Sequence, residues 1–222
     1  MGGPLFRRSL AGGCAAAAGF GVMDRQAFGA KPSVLRCSRC GRFVNWEEAR
    51  IQIVCSCRGT LSLPPVLVRP AGPEDRQRIT DLLLADFGHL TIVAFGEEMH
   101  ADREEALVAE MRDDLAGVLA WRQLGDALHI VALATDPLWQ RSGVGGHLVA
   151  EAELLARKLG LARLLTATSN DNLPALYFYQ RHGFRLIGIA ADAFAVHSRT
   201  PNAPGFAGLP VLDEVRMEKL LA

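Results

Sequence analysis

The stretch TDPLWQRSGVGGH, residues 135–147, decides how the rest of this chain is interpreted. An apolar segment, Leu128 to Ala134, precedes it, and apolar residues at helical spacing follow it. These residues are Val144, Leu148, Val149, Ala152, Leu155, Ala156 and Leu159. The stretch is therefore predicted to be a glycine-rich turn between a strand and a helix. Because the first N–H groups of a helix lack internal partners and lie at the positive end of its dipole, such a turn favours a phosphate or pyrophosphate.

Two common nucleotide motifs do not fit this turn. A P-loop requires Gly-Lys-Ser/Thr, whereas Gly145 and Gly146 are followed by His147. A Rossmann turn requires a third glycine where Leu148 stands, and an acidic residue further on that the segment around Arg163 does not supply. A helix N-terminus that only packs tightly against its neighbours remains the alternative.

A second motif, NLPALYFYQRHGF, occupies residues 172–184. Its pattern resembles the Asn-x-x-Ala-x-x-x-Tyr-x-x-x-Gly-Phe segment of the GNAT N-acetyltransferases. The run Gln140-Arg141-x-Gly143-x-Gly145 resembles the acyl-CoA pyrophosphate motif of the same family. The resemblance implies an N-acyltransferase that uses acetyl-CoA as co-substrate and acetylates a primary amine of a small molecule or protein. Because no cysteine falls in these motifs, direct attack of the amine on the thioester is expected.

The resemblance also implies which residues hold the co-substrate. The diphosphate would bind backbone N–H groups between Gln140 and Gly146, with a charge-assisted bond from Arg141. The pantetheine amides would bond to the end of the preceding strand, where a backbone N–H could also hold the oxyanion of the tetrahedral intermediate. The full set of implied co-substrate residues is Leu133, Ala134, Thr135, Gln140, Arg141, Gly143, Val144, Gly145, Gly146 and Asn172.

Tyr179 falls at the general-acid position of the family and would protonate the departing thiolate of coenzyme A. The alternative is a core tyrosine on an amphipathic helix, and Tyr177 is interpreted as structural. Asn172 could cap the helix instead of binding coenzyme A. No motif identifies the base that deprotonates the amine. Glu110 and His129, on strands flanking the expected cleft, are the candidates, although such residues are more often part of a solvated face.

Four of the five cysteines lie between residues 37 and 57. Cys37 and Cys40 form one knuckle, and Cys55 and Cys57 form a tighter second one. Four thiolates suit a closed, structural Zn2+ site, and a module of this size needs such a staple to fold. The segments 43–46 and 51–54 are predicted to be the two strands of a zinc ribbon. Free or disulfide-bonded cysteines are the alternative, although disulfides are disfavoured in a reducing compartment.

The chain is expected to have three parts. Residues 1–33 are predicted to be a disordered leader, residues 34–63 a zinc-ribbon-like module and residues 66–222 the GNAT domain. The predicted fold class is α+β, with a mixed, mostly antiparallel sheet of GNAT type flanked by helices. The polar segment 97–105 is predicted to be helical.

The composition restricts the classes of partner and the cellular compartment that are expected for this protein. The 24 basic and 24 acidic side chains balance, which argues against a nucleic-acid partner. No apolar run is long enough for a membrane span. A cytoplasmic protein is expected, and a homodimer is compatible with such a domain.

The alternative function is a catalytically idle acyl-CoA sensor whose zinc ribbon binds a protein or nucleic acid, but the intact Tyr179 and glycine turn favour the enzyme.

Overall fold

The computed structural model of the protein describes residues 34–45, 57–58, 61–62, 65–111, 114–194 and 205–221. The predicted leader, Cys55 and the strand expected at 51–54 lie outside these ranges. In the described part of the N-terminal module, three strands form an antiparallel sheet in the order β2-β1-β3. Its strands are β1 (Val34–Cys37), β2 (Phe43–Asn45) and β3 (Leu61–Ser62). A strand therefore covers the described part of the segment predicted at 43–46, namely Phe43–Asn45, and it pairs with β1, which ends at Cys37.

The larger domain contains nine strands and three α-helices among its described residues. After β4 (Val66–Pro70) come α1 (Arg76–Phe87) and the hairpin of β5 (Thr91–Ala94) and β6 (Glu97–His100). Next come β7 (Glu105–Met111), β8 (Asp114–Leu124), β9 (Ala127–Thr135) and α2 (Val144–Lys158). The chain continues through β10 (Arg163–Ser169), α3 (Leu173–Arg181), β11 (Arg185–Ala190) and β12 (Glu214–Leu220).

Seven of these strands form one twisted sheet in the order β11-β12-β10-β9-β8-β7-β4. All neighbours in it are antiparallel except β9 and β10, which run parallel. The single parallel pair arises because α2 crosses over between β9 and β10, as a crossover helix must for parallel neighbours. The predicted mixed, mostly antiparallel α+β fold is confirmed.

Each face of the sheet carries its own apolar core. Leu128 and Ile130 of β9 pack on one face with α2 and α3. Val131 of β9 packs on the other face with α1 and the β5–β6 hairpin. Because successive strand residues point to opposite faces, His129 lies on the same face as α1. The sheet is thus buried on both sides around β9, the strand that leads into the glycine turn.

The prediction of a helix at 97–105 is wrong. Residues Glu97–His100 form strand β6, which pairs with β5 through the turn Phe95-Gly96. Met99 is buried between exposed or half-exposed neighbours, as the period of two in a strand requires. The charges of this segment suggested a solvated helical face, but the turn residues and the single buried methionine decide for a hairpin.

The N-terminal module touches the larger domain. The side chain of Phe43, on β2, packs against the apolar cluster shared by the sheet, α2 and α3. Changes in the cysteine module can therefore reach the core of the larger domain. Within the described ranges, no helix has the length and apolar character needed to cross a bilayer.

Candidate functional site

The glycine turn begins where β9 ends at Thr135. The backbone N–H of Asp136 donates to the carbonyl of Ala116, which ties the turn to the sheet. The Asp136 carboxylate then accepts from the N–H of Leu138 at 2.8 Å and starts a single 3-10 turn, Pro137–Trp139. Trp139 is fully buried in the core beneath it. The turn is therefore held rigidly from both ends before any ligand binds.

Two residues with positive φ direct the chain into α2. Arg141 has φ 61°, and Gly143, at the N-cap of α2, has φ 94°. A residue with a side chain is disfavoured at the Gly143 conformation, so glycine is required there. In the part of the chain that the structure describes, the N–H groups of Arg141, Gly143 and Gly145 have no acceptor. These donors lie at the positive end of the α2 dipole, where the sequence predicts an anion site, and their geometry suits one.

Gly145 and Gly146 serve a second purpose, the close packing of α2 against α3. A Cβ on Gly145 would lie 3.2 Å from the Phe178 ring, and a Cβ on Gly146 would lie 2.9 Å from the His182 ring. Tight helix packing is thus part of the reason for these two glycines. Packing and an anion site are compatible, because the side-chain positions meet α3 while the backbone N–H groups remain unpaired.

Beyond the last paired residues, β9 and β10 separate. The parallel ladder joins β9 and β10 only from Ala127↔Arg163 to Ile130↔Thr166. Beyond this point β10 stays paired with β12, and β9 stays paired with β8 as far as Thr135. We call the point of separation after Ile130 and Thr166 the fork. A bulge at Val131, where the pairing with β8 shifts register, coincides with it.

Among the residues that the structure describes, the fork leaves one edge of β9 without a strand partner over the predicted residues Leu133, Ala134 and Thr135. Such an edge offers backbone donors and acceptors to an extended ligand, which can bind as an added strand. The side-chain amide of Gln140 donates to the carbonyl of Thr135 at 3.4 Å. The unpaired edge and the glycine turn are continuous along the chain from Leu133 to Gly146.

Tyr179 lies on α3 with its ring in the core beside Phe178 and Phe184. It is 7% exposed. Burial raises the pKa of the Tyr179 phenol to about 12, and a hydrogen bond with the Thr166 hydroxyl opposes that shift. Thr166 also donates to the carbonyl of Ile130 at 3.3 Å. Because both Ile130 and Thr166 stand at the fork, the Tyr179 hydroxyl reaches the fork as well.

Asn172 and Tyr177, at the start and in the middle of α3, both make local contacts within this helix. The side-chain oxygen of Asn172 accepts from the N–H of Ala175 at 3.1 Å and so caps α3. Tyr177 is 51% exposed, and its hydroxyl accepts from Arg181. The cap uses the amide oxygen of Asn172, which favours the capping alternative for that atom.

The two candidate bases differ sharply in environment. Glu110 accepts from Arg69 at 2.8 Å and lies 3.7 Å from Arg78, in an ion cluster that also holds the buried Asp75. Arg69 holds the pKa of the Asp75 carboxyl below its usual value. Glu110 is therefore held in a structural ion cluster with Arg69 and Arg78.

His129 is 2% exposed, and its Nε2 has no hydrogen-bond partner among the described residues. Burial lowers the pKa of His129 to about 4; Arg122 lowers it further and Glu214 opposes the shift. The Phe95 ring packs edge-on against the imidazole with centroids 4.9 Å apart. The side chain is thus neutral at physiological pH, with an unused nitrogen.

Sequence reasoning missed several residues around this centre. Thr166, which connects Tyr179 to the fork, belongs to no motif, although it occupies the strand position opposite Ile130. Phe95 donates its N–H to the buried Glu214 at 2.9 Å, and Arg216 donates to the same carboxylate at 2.7 Å. These contacts join segments far apart in the chain, and no local signal could have identified them.

The cysteine module gathers three of the four predicted ligands. The sulfur atoms of Cys37, Cys40 and Cys57 all lie within 4.8 Å of one another, and Cys37 and Cys57 are 3.4 Å apart. Cys55, the fourth predicted ligand, lies outside the described residues. Hydrogen bonds from the backbone of Cys40 and Arg39 lower the pKa of the Cys37 thiol to about 6. Clustered sulfurs of this kind match the donor set of a thiolate metal site.

Comparison with known proteins agrees with the geometry of the larger domain. The family model described as Acetyltransferase (GNAT) family matches residues 74–184. An uncharacterized N-acetyltransferase of Bacillus subtilis (strain 168), YvbK, is 32% identical over 127 residues, which cover 57% of this chain and 79% of that protein. The uncharacterized protein YdhI of the same organism is 26% identical over 160 residues, covering 70% of this chain and 99% of YdhI.

Solved structures show the same architecture. The crystal structure of a Bacillus subtilis acetyltransferase in complex with CoA aligns with a TM-score of 0.60 and 27% identity, covering 71% of this chain and all of that one. A GNAT acetyltransferase from Elizabethkingia anophelis with acetyl-CoA bound aligns with a TM-score of 0.53 and 19% identity, covering 70% of this chain and 98% of that one. The second likeness concerns the fold alone. The family match excludes the cysteine module, which precedes residue 74.

Proposed function

Because the chain belongs to the GNAT family of acetyltransferases, we propose that it transfers the acetyl group of acetyl-CoA to a primary amine on a small molecule or a protein. The observation that carries this proposal is the fork. It joins an unpaired strand edge for the pantetheine, a row of unpaired N–H groups for the diphosphate and the hydroxyl of Tyr179. An idle acyl-CoA sensor would need only the first two features.

Co-substrate binding follows from the backbone of the groove. The diphosphate would lie on N–H groups between Gln140 and Gly146, where the exposed Arg141 adds a charge-assisted bond. The pantetheine amides would bond to the free edge of β9 at Leu133, Ala134 and Thr135. A backbone N–H on that edge would hold the oxyanion that forms on the thioester carbonyl.

The chemistry proceeds by direct attack in a ternary complex. The amine nitrogen attacks the thioester carbonyl, a tetrahedral intermediate forms, and the carbon–sulfur bond breaks with its electrons passing to sulfur. Tyr179 donates its proton to that sulfur, a base takes the proton that the amine nitrogen loses, and Tyr179 is then reprotonated from solvent. Since burial raises the pKa of Tyr179 to about 12, the phenol stays protonated throughout the physiological range and is available as a donor.

Two measurements test the function. Calorimetry with acetyl-CoA should show binding, and a panel of amines, peptides and aminoglycosides should reveal release of free coenzyme A by thiol detection. Binding without turnover on any member of the panel would favour the idle-sensor alternative and reject the transferase. Absence of binding would reject both.

The proposal includes a structural zinc ion in the module of residues 34–63. Cys37, Cys40 and Cys57 would supply three thiolates, and Cys55 is proposed as the fourth. A reducing compartment such as the cytoplasm would keep these thiols free for the metal. Since Phe43 connects this module to the apolar core, the ion is expected to stabilise the transferase domain (residues 66–222) as well.

Zinc binding is expected to be stoichiometric. Elemental analysis of protein purified without chelator should give about one zinc per chain, and chelation should lower the thermal unfolding temperature. Cys40→Ser should lose the metal, whereas Cys14→Ser, which alters the cysteine that lies apart from the other four in the sequence, should retain it. Less than about half an equivalent of zinc in the wild-type protein would contradict the site.

A further inference from the structure

The basic and acidic side chains are distributed unevenly along the chain. The transferase domain, residues 66–222, contains 15 of the 24 basic and 21 of the 24 acidic side chains, which leaves it an excess of six negative charges. Residues 1–63 contain the remaining nine basic and three acidic side chains, an excess of six positive charges. The overall balance, which argues against a nucleic-acid partner for the chain as a whole, therefore does not describe its N-terminal part. Such an asymmetry between two parts of one chain is typical of a protein with a charged partner.

Arginine accounts for all the basic side chains of the cysteine module, residues 34–63. Four of its five arginines are described by the structure, and all four are exposed: Arg36, Arg39, Arg42 and Arg58. Each of them lies within two residues, along the sequence, of a cysteine of the described cluster. Since the three sulfur atoms of that cluster lie within 4.8 Å of one another, the four arginines branch from the backbone around a single centre.

The backbone around this centre is folded back on itself, which keeps the arginines together. Nη1 of Arg39 donates to the carbonyl of Cys57 at 2.9 Å and so joins the two ends of the cluster. Gly41, with φ 70°, lies in the turn between β1 and β2, and a Cβ on it would lie 3.8 Å from Nη2 of Arg36. A partner that binds these side chains therefore meets a folded turn, and less conformational entropy is lost on binding than with a flexible basic tail.

The proposed zinc ion does not cancel this positive charge. One Zn2+ bound by four thiolates has a net charge of two negative units, whereas the four described arginines have four positive units. Cys37 is buried within the cluster, and the arginines are exposed around it. This part of the module therefore presents a positive surface to solvent, in contrast to the acidic transferase domain.

The residue type and the exposure of these groups indicate the class of partner. The planar guanidinium group matches the oxygens of a phosphate with two parallel hydrogen bonds. Exposed pairs with the carboxylates of an acidic peptide contribute only about 0–1 kcal/mol each, whereas a nucleic acid also releases a condensed counterion for each phosphate that is neutralised. Among the module side chains that the structure describes, no large apolar one is exposed, as insertion into a membrane surface would require.

We propose that the cysteine module binds the phosphodiester backbone of a nucleic acid through the guanidinium groups of Arg36, Arg39, Arg42 and Arg58. The transferase domain, with its excess of six negative charges, is repelled by the same backbone, so the contact is limited to the module. The nucleic acid is then an anchor for the protein and not the acceptor of the acetyl group. This contact is independent of the transferase function proposed above.

The first arm of the test measures binding of the full-length protein, purified without chelator, by fluorescence anisotropy. The probes are a single-stranded RNA of about 20 nucleotides and a DNA duplex of about the same length. For four arginine contacts, the slope of log K against log salt concentration should be about −3.6 on the duplex and about −2.8 on the single strand. No binding to either probe at about 50 mM salt, or a slope near zero, overturns the proposal.

Two further probes separate nucleic acid from other anionic partners. Labelled poly-glutamate supplies carboxylates in place of phosphates, and vesicles of phosphatidylcholine and phosphatidylserine supply an anionic membrane surface. We expect both to bind at least about tenfold more weakly than the better nucleic acid at the same salt concentration. Tighter binding to poly-glutamate or to the vesicles overturns the assignment of the partner.

The second arm removes three of the guanidinium groups together, as Arg36→Gln, Arg42→Gln and Arg58→Gln. Arg39 is retained because its side chain bonds to the carbonyl of Cys57. The slope on the duplex should become less negative by about 2.7, and Kd at about 50 mM salt should rise at least about tenfold. Zinc content, acetyl-CoA affinity and turnover of small amines should match wild type. If this triple variant loses zinc, each single variant replaces it and should reduce the slope by about 0.9.

A matched control removes the same charge from the exposed surface of the transferase domain. It combines Arg103→Gln, Arg157→Gln and Arg185→Gln, all at exposed positions. Because these residues lie outside the module, the control should bind both nucleic acids within about twofold of wild type, with an unchanged slope. Unchanged binding by the module variant, or an equal loss in the control, overturns the assignment of the surface, while amine turnover by either variant leaves the transferase function standing.

Discussion

Tyr179 and His129 are buried rings on opposite faces of one sheet at one fork, and they differ in how their polar atoms are satisfied. Burial favours the neutral form of both, raising the pKa of Tyr179 to about 12 and lowering that of His129 to about 4. The Tyr179 hydroxyl bonds to Thr166, whereas Nε2 of His129 has no partner among the described residues. The polar atom of Tyr179 is thus paired within the protein, whereas Nε2 of His129 is not paired with any described residue.

The largest expected effect comes from removing the hydroxyl of Tyr179, the proton donor of the pair. Tyr179→Phe keeps the ring and its contacts with Phe178 and Phe184, and removes only the hydroxyl. Without the proton donor, the thiolate must leave unprotonated, so kcat should fall by about 100- to 1,000-fold. Steady-state kinetics with the preferred amine measures this loss.

Acetyl-CoA binding provides the control for this variant. Since the co-substrate would be held by the β9 edge and the glycine turn, its Kd for Tyr179→Phe should stay within about twofold of wild type. Tyr177→Phe, on the exposed side of the same helix, should leave kcat unchanged. Unaltered turnover of Tyr179→Phe would mean that Tyr179 only packs in the core and does not act as the proton donor.

The buried, unpaired imidazole of His129 should make the free energy of unfolding depend on pH. Burial lowers the pKa of His129 from 6.5 to about 4, so below pH 6.5 the unfolded chain binds a proton that the folded protein does not. The free energy of unfolding should therefore fall as pH drops from about 6.5 to about 4, by at most about 3 kcal/mol from this residue. Urea titrations across that range measure the loss.

A difference between two proteins isolates the contribution of His129. The lowered pKa values of His182 and Asp75 act in the same direction at acid pH, but they are common to wild type and His129→Gln. His129→Gln should thus show a flatter stability profile between pH 6.5 and 4, whatever its absolute stability. Parallel profiles would mean that the folded protein protonates His129 readily and that its nitrogen is not sequestered.

Most strands and helices could be predicted from the sequence because their apolar patterns lie within short segments of the chain. The alternation around β8 and the helical repeat after Gly143 gave strands and helices close to those observed. The hairpin at Thr91–His100 was missed because its glutamates resemble a solvated helical face. Only the long-range contact of its turn with Glu214, 119 residues away, explains its position.

The candidate site was predictable to the extent that it follows motifs. The register of the second motif identified Tyr179, and the glycine pattern identified the turn with its unpaired N–H groups. The fork is a property of strand pairing, so neither Thr166 nor the edge of β9 could be assigned from spacing. The different environments of Glu110 and His129 could not be assigned from the sequence either, because Arg69 of β4 bonds to Glu110 of β7, 41 residues away.

The smallest expected effect comes from removing the hydrogen-bond partner of Tyr179, so that its hydroxyl lacks a partner as Nε2 of His129 does. Thr166→Val keeps the shape of the side chain and removes the hydroxyl that bonds to Tyr179, which leaves the phenol as unpartnered as Nε2 of His129. Loss of that bond should cost about 1 kcal/mol of stability, and kcat should fall about tenfold because the phenol is no longer fixed at the fork. Thr80→Val on α1 removes a comparable hydroxyl that donates only to the carbonyl of Arg76, so it should leave kcat unchanged. If Thr166→Val lowers stability but not kcat, the Thr166 bond serves folding alone, and Tyr179 finds its position from ring packing.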